Sequence, residues 1–315
     1  MKAAVVRGKD PPVYGDFDEP SATSDGMVVA VRAAALTHLD VAVAERRHYL
    51  SPDAAAFVAG KEAVAETASG ERCFFNASSI LSPFGSLAER ALVRPERGLP
   101  VPDTVPDSLA AALGNAGLAA WLALSWRARV RPGETVLILG ATGASGLIAV
   151  SAAKLLGAGR VIAAGRNPEA LIRAQRLGAD AVIKLDATPD LPAALCDTAG
   201  AEIDVVIDFL NGQPAETALP AMAVGGRLVQ ISSLLAPGIF LRGQTTRKAS
   251  LDVLGFAYYH APLREQAAAY ELLCRHATAG RIEIDMAIQP LDTIEEAWRR
   301  HKAGRGPRLV LMPAG

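Results

Sequence analysis

The chain has 315 residues, 50% apolar and 21% charged, with a formal net charge of −1. That length suits two domains, the apolar share predicts packed cores rather than disorder, and the scattered Lys and Arg offer no basic face to nucleic acid or to an acidic membrane. Its three cysteines, Cys73, Cys196 and Cys274, are far apart and form no C-x-x-C pair, which argues against a disulfide framework or a Cys-rich zinc site and fits a reducing, cytoplasmic compartment.

The chain opens MKAAVVRGKDPP, with no long apolar core and no small-residue cleavage site, and reads as mature sequence. Short strands with turns follow. Lys2–Arg7, Met27–Ala33 and Ser86–Arg94 are strand-like runs separated by Pro, Gly and Asp. Pro95, Pro100, Pro102 and Pro106 mark a connector. Asp107–Arg127 is expected to be helical. Its uncharged stretch Leu109–Trp126 approaches the length of a membrane span, but Gly114, Asn115 and Gly117 and the many Ala residues favour a buried helix with a break.

From there strands and helices alternate. Glu134–Leu139, Arg160–Ala164, Ala181–Lys184, Asp204–Asp208 and Arg227–Ile231 read as strands, with helices over Gly143–Leu156, Glu169–Leu177 and Ala215–Met222. This rhythm predicts a parallel sheet covered on both faces. The tail returns to mixed structure: helices over Leu263–Ala279 and Glu295–Ala303, then a closing strand, Arg308–Met312.

One motif carries chemistry. The strand ETVLIL runs into GATGASG, Gly140 to Gly146, and then into the helix LIAVSAAKLL. The spacing is G-x-x-G-x-x-G, in the strand–turn–helix setting of a dinucleotide fingerprint. Gly143 would let backbone approach a pyrophosphate, Gly146 would let helix and strand pack closely, and the N–H groups of Thr142, Ala144 and Ser145 lie at the helix start. The next strand ends in Gly165, Arg166 and Asn167, with no carboxylate for a ribose hydroxyl. Gly165 leaves room and the Arg166 guanidinium suits a 2′-phosphate, so NADPH is the expected cofactor. Phe209, Asn211, Ile231, Ser232 and Ser233 lie at later strand ends. Asn211 and Ser232 are candidates for ribose or nicotinamide contacts, or ordinary turn-formers.

With Leu36–Asp40 (LTHLD), Gly60–Glu62 (GKE), Gly85–Glu89 (GSLAE), Arg131–Thr135 (RPGET), the Gly140 turn and Leu177–Ala181 (LGADA), the whole chain resembles the medium-chain dehydrogenase/reductase superfamily, near its zinc-independent quinone oxidoreductases. The resemblance implies an α/β protein: a GroES-like β-rich catalytic domain, residues 1–108 completed by 249–315, and a doubly wound Rossmann domain, residues 109–248, with a cleft between them. It also implies hydride transfer at nicotinamide, a small-molecule substrate and a homodimer. Zinc members carry Cys and Gly-His-Glu in the first domain. Here those positions read Thr37 to Asp40 and Gly60-Lys61-Glu62, so no metal site is expected and a quinone or an α,β-unsaturated carbonyl is the expected hydride acceptor.

Three substrate-side candidates come from matching positions. Thr37 would donate to a carbonyl or merely cap a helix. Tyr49, beside His48, lies where quinone oxidoreductases often place a Tyr. Lys61, at the lost ligand position, would stabilise an enolate oxygen, point to solvent, or pair with Glu62 or Glu66. Two other functions remain open: a non-catalytic NADPH-binding redox sensor, and a zinc alcohol dehydrogenase with atypical ligands. TGASG also resembles short-chain dehydrogenases, but no Tyr here has the Lys four residues later that those need.

Overall fold

The computed structural model describes residues 1–186, 191–200, 202–232, 235–304 and 306–314. It forms two compact units: Met1–Asn115 with Gln266–Arg275 and Ile284–Gly315, and Ala116–Glu265 with His276–Glu283.

The first unit is built around the strand Met27–Ala35. Val29, Val31 and Ala33 are buried while Ala30 and Arg32 are exposed, the period-two signature of a sheet with one face on a core. This strand pairs antiparallel with Ala63–Glu66, Arg90–Val93 and the closing strand Arg308–Met312, and the last of these pairs in parallel with Met286–Pro290. A three-stranded sheet, order Val13–Asp16, Lys2–Arg7, Ala56–Val58, lies in the same unit. Leu36, Phe57, Phe75, Leu87, Trp298 and Leu309 share one apolar core, so the tail completes the unit begun at the N-terminus.

Two glycines fix how its loops meet. A side chain on Gly60 (φ +102°) would lie 2.4 Å from the Leu87 nitrogen, and one on Gly85 would lie 2.1 Å from the Val58 carbonyl oxygen. The GKE and GSLAE segments therefore press backbone on backbone, and the Ser86 hydroxyl donates to the Glu62 carbonyl at 2.8 Å.

The second unit holds a six-stranded parallel sheet in the spatial order Ala181–Lys184, Arg160–Gly165, Thr135–Leu139, Ile203–Asp208, Met222–Gln230, Asp252–Gly255. In chain order this is 3-2-1-4-5-6, the Rossmann arrangement, whose switch point lies between its first and fourth strands. Val136, Leu137, Ile138 and Leu139 are all fully buried, so both faces of the central strand are covered.

Several elements differ from expectation. The helix Asp107–Leu122 passes unbroken through Gly114 and Gly117; the irregularity comes later, as a π turn over Ala123–Ala128. Gly114 has a packing reason instead, since a side chain there would lie 2.2 Å from the Phe74 ring. Asp107–Ala128 is long and apolar enough to cross a membrane, yet 83% of its most apolar window is buried within the protein. The strand expected from Arg227 begins at Met222, and the helix expected from Ala215 to Met222 runs Gln213–Ala218. Asp252–Gly255, Met286–Pro290, Ala63–Glu66 and Arg72–Phe75 add strands that the sequence pattern did not announce.

Candidate functional site

The dinucleotide turn sits at the switch point. Gly140 follows the central strand with φ +87°, and the N–H groups of Gly140 and Ala141 both donate to the Ala164 carbonyl at 2.9 Å. The chain then turns into the helix Ala144–Leu155 with Gly143 as its N-terminal cap. The glycines divide the work. A side chain on Gly146 would lie 2.2 Å from the Gly140 carbonyl oxygen and 2.6 Å from the Ala141 Cα, so this residue sets the helix-to-strand packing. One on Gly143 would meet only the Gly140 oxygen, at 3.7 Å, so the exposed Gly143 keeps space open above the turn. Thr142, Ala144 and Ser145 are half-buried beside it. The first N–H groups of a helix have no partner within it, which leaves this end suited to an anion.

The strand Arg160–Gly165 ends next to this turn. A side chain on Gly165 would lie 2.4 Å from the Thr142 Cγ2, so the room at Gly165 is filled by Thr142. Arg166 is exposed and bonds to no described residue. Asn167 caps the helix Pro168–Arg176; its Oδ1 accepts from the N–H groups of Glu169 and Ala170 at 3.0 and 3.2 Å.

At the end of the fourth strand, Phe209 donates its N–H to the Leu139 carbonyl and packs near Gly140. Asn211 is buried in a left-handed conformation (φ +68°). Its Nδ2 donates to the Ala236 carbonyl and its Oδ1 accepts from the Gln230 amide, both at 2.7 Å. Both ends of that side chain are thus engaged in shaping the turn. Asp208 accepts from the N–H groups of Leu210 and Asn211 at 2.9 Å, while burial raises its carboxyl above the usual range. Ile231 and Ser232 are half-buried at the end of the fifth strand, and Ser233 lies outside the described residues.

A second cluster lies within the first unit. Thr37 caps the helix His38–Ala44 in a reciprocal box: the Asp40 N–H donates to its hydroxyl at 3.2 Å, and the Thr37 N–H and hydroxyl both donate to Asp40 Oδ2 at 2.7 Å. Asp40 is buried and its Oδ1 has no hydrogen-bond partner. Burial raises its carboxyl, against the pull of the Thr37 donors, Lys61 and Arg308. Lys61 is 7% exposed; burial lowers its ammonium, and Asp40 draws it back up. Glu62 is buried, forms an ion pair with Arg308 and accepts from the Asn115 N–H at 2.7 Å. Burial pushes its carboxyl up to about 7 even so. The His38 and His301 rings meet at 4.6 Å, tilted by 40°, and burial takes His301 down to about 3. Tyr49 is 70% exposed, its ring against His48 at 4.2 Å.

Lys61 is thus gathered with Thr37 and Asp40, while Tyr49 stands on the surface beside His48. Sequence reasoning overlooked Arg308 and His301, which come from the far end of the chain, and gave no role to the buried carboxylates of Asp40 and Glu62. The one available signal for Asp40 was its place three residues after a Thr, a capping-box spacing. Among the described residues no group of three or more His, Cys, Asp and Glu side chains is arranged to hold a metal ion.

A Rossmann unit with a glycine turn at its switch point, carried with a GroES-like β unit, defines a medium-chain dehydrogenase/reductase. Residues 144–273 match the zinc-binding dehydrogenase family. The chain is 31% identical over 225 residues to the quinone oxidoreductase of Pseudomonas aeruginosa, covering 70% of this chain and 67% of that one. It superposes on the quinone oxidoreductase of Thermus thermophilus, also solved in complex with NADPH, with a TM-score of 0.80 at 30% identity over 99% of this chain and 100% of that one. It is also 30% identical over 224 residues to a phenolphthiocerol/phthiocerol polyketide synthase of Mycobacterium tuberculosis, of which it spans only 10%. The chain belongs to the medium-chain dehydrogenase/reductase superfamily, as a quinone oxidoreductase-like member.

Proposed function

We propose that this protein is an NADPH-dependent, zinc-independent reductase that passes a hydride to a small quinone or α,β-unsaturated carbonyl compound. The observation that carries the reading is the Gly140–Gly146 turn at the sheet switch point, with the unpaired Arg166 at the neighbouring strand end and no carboxylate beside it. The space kept open at Gly143 fits a pyrophosphate. When bound, NADPH supplies the hydride. Around it the N–H groups of Ala144 and Ser145 would hold phosphate oxygens, Arg166 would pair with the 2′-phosphate, and Phe209, Ile231 and Ser232 would border the nucleoside. Asn211, with both ends of its amide engaged, acts by holding that border in shape.

The residues at the zinc-ligand positions do not suit zinc. Thr37 is a hydroxyl already bonded to Asp40, and Lys61 is an ammonium, whereas catalytic zinc takes three His, Cys or carboxylate donors. Metal-free chemistry at a conjugated acceptor follows from that donor set. A homodimer in the cytoplasm belongs to the same reading.

The test is NADPH oxidation by metal-free protein with 1,4-benzoquinone and a short enone as acceptors, NADH in parallel. Turnover with NADPH well above NADH is expected. Arg166→Ala should weaken NADPH about 10- to 100-fold, the loss of a charge-assisted hydrogen bond, and leave NADH unchanged. Turnover that appears only with added zinc would overturn the metal-free reading. NADPH binding without turnover on any acceptor would make the protein a sensor, and an unchanged cofactor preference in Arg166→Ala would remove that residue from the site.

A further inference from the structure

We propose that Lys61 is the oxyanion-binding and proton-donating residue of this protein, which restricts its acceptors to carbonyl compounds whose oxygen takes up the negative charge as they are reduced. The inference rests on the reductase reading above.

Lys61 is more than nine-tenths buried, yet it forms no hydrogen bond or ion pair with any described residue. Desolvating a cation without a partner is costly, and a lysine kept there for stability would be expected to bond the nearest acceptor. That acceptor exists: Asp40 attracts Lys61 electrostatically and has a buried oxygen, Oδ1, with no partner. The ammonium does not take it. Among the described residues the Lys61 nitrogen does not figure with the polar atoms that are both enclosed and unbonded, so this unbonded tip keeps some contact with solvent. A buried stem, a counter-charge close enough to hold the ammonium form, and a free tip together make a site for an oxygen that acquires charge.

The neighbours do not compete for the role. The Thr37 hydroxyl donates to Asp40, and the Tyr49 ring is on the surface. The groups that act on Lys61 are Asp40 on the capped helix and His48 after it, with Glu62 next in the chain; Arg308 acts in turn on Asp40, Glu62, His38 and His301. Of these, Glu62 and Arg308 neutralise each other. Burial lowers the Lys61 ammonium from its ordinary value, which brings a proton donor closer to neutral pH.

The step balances. The acceptor gains the nicotinamide hydride at its conjugated carbon, and the displaced π pair settles on the carbonyl oxygen. A Lys61 N–H bond breaks as the O–H bond forms, and the neutral amine recovers its proton from water. One NADPH and one proton are consumed for each acceptor reduced.

Two readouts test this. In turnover with NADPH and a short enone, Lys61→Met should lower kcat by about 10²- to 10³-fold, the loss seen when an oxyanion donor is removed. NADPH affinity by fluorescence and the thermal midpoint should stay near wild type. Lys61→Arg, which keeps the charge but not the acidity, should recover part of kcat and lose the high-pH fall in rate.

Independently of turnover, 4-nitrophenol serves as a stable enolate mimic. The wild type should bind it as the coloured phenolate, its ionisation lowered by roughly 1–3 units, and Lys61→Met should not. Wild-type turnover with unchanged kcat and phenolate binding in Lys61→Met would overturn the inference and leave the reductase reading standing. Phenolate binding that depends on Lys61, in a protein that reduces no acceptor, would keep the oxyanion site and overturn the reductase reading.

Discussion

The glycine turn of the second unit and the ionic cluster of the first prepare for charge by opposite means. The turn works with backbone: N–H groups at a helix start, and two positions where a missing side chain either lets helix meet strand or leaves open space. The cluster works with side chains, burying Asp40, Lys61, Glu62 and Arg308 in one place so that burial and neighbouring charge contend at each. A backbone site has no titration and depends on shape. A side-chain site depends on pH and on every partner being present. The difference can be sharpened by substitutions that strike each kind of site where it is weakest.

The largest effect is expected in the cluster. Arg308→Met leaves Glu62 buried without its cation; its carboxyl, already raised to about 7, then takes up a proton, so the loss at neutral pH stays below the roughly 3–5 kcal/mol of an ionised pair and grows as pH rises. Urea denaturation at neutral pH measures it. The same cluster predicts a pH window. Glu62 is raised in the folded state, to about 7 from 4.5, so its contribution is complete below about pH 4.5 and is lost as pH rises through 7. His301 is lowered, to about 3 from 6.5, so its contribution is complete above about pH 6.5 and is lost as pH falls toward 3. The two opposed slopes place this cluster's best stability between about pH 4.5 and 6.5. Glu62→Gln should flatten the neutral side of the profile only, and His301→Gln the acid side only. A profile with no change in either variant would mean that the cluster does not set stability.

At the turn, two glycines three residues apart should part company. Gly146→Ala forces a side chain into the Gly140 carbonyl and should cost about 1–3 kcal/mol together with NADPH binding. Gly143→Ala has space and an ordinary φ of −88°, so its stability should stay within about 0.5 kcal/mol while NADPH affinity falls. Equal effects on stability and binding in both variants would mean that the open space at Gly143 is not a phosphate site.

The same contrast explains what the sequence made legible. The turn is local, written in consecutive residues between a β-branched strand and an Ala-rich helix, so its glycines and the neighbouring Arg166 were readable in order. The cluster is not local. Arg308 and His301 join Asp40 and Glu62 across nearly the whole chain, and no periodicity marks a pairing at that separation. Short or exposed strands escaped notice for a related reason. Asp252–Gly255 carries no fully buried position, and its place at the sheet edge comes from pairing with Met222–Gln230 rather than from its own pattern. Gly165 shows the limit of local reading: the sequence says that small is needed there, and only packing says that Thr142 is the reason.

Thr37 gives the smallest effect and the finest distinction, because one hydroxyl could serve a substrate or a helix. Its hydrogen bonds to Asp40 commit it to the helix. Thr37→Ala should therefore cost about 1 kcal/mol of stability, the ordinary loss for an N-terminal cap. Asp40 Oδ2 would lose its hydroxyl donor but keep the backbone N–H of residue 37, so the carboxylate should remain a counter-charge to Lys61. On that account kcat with an enone should fall only a few-fold, far less than for Lys61→Met, and Thr37→Ser, which restores the cap, should restore both stability and rate. A loss of kcat in Thr37→Ala as large as that in Lys61→Met, with stability unchanged, would move the proton donor from the lysine to the threonine.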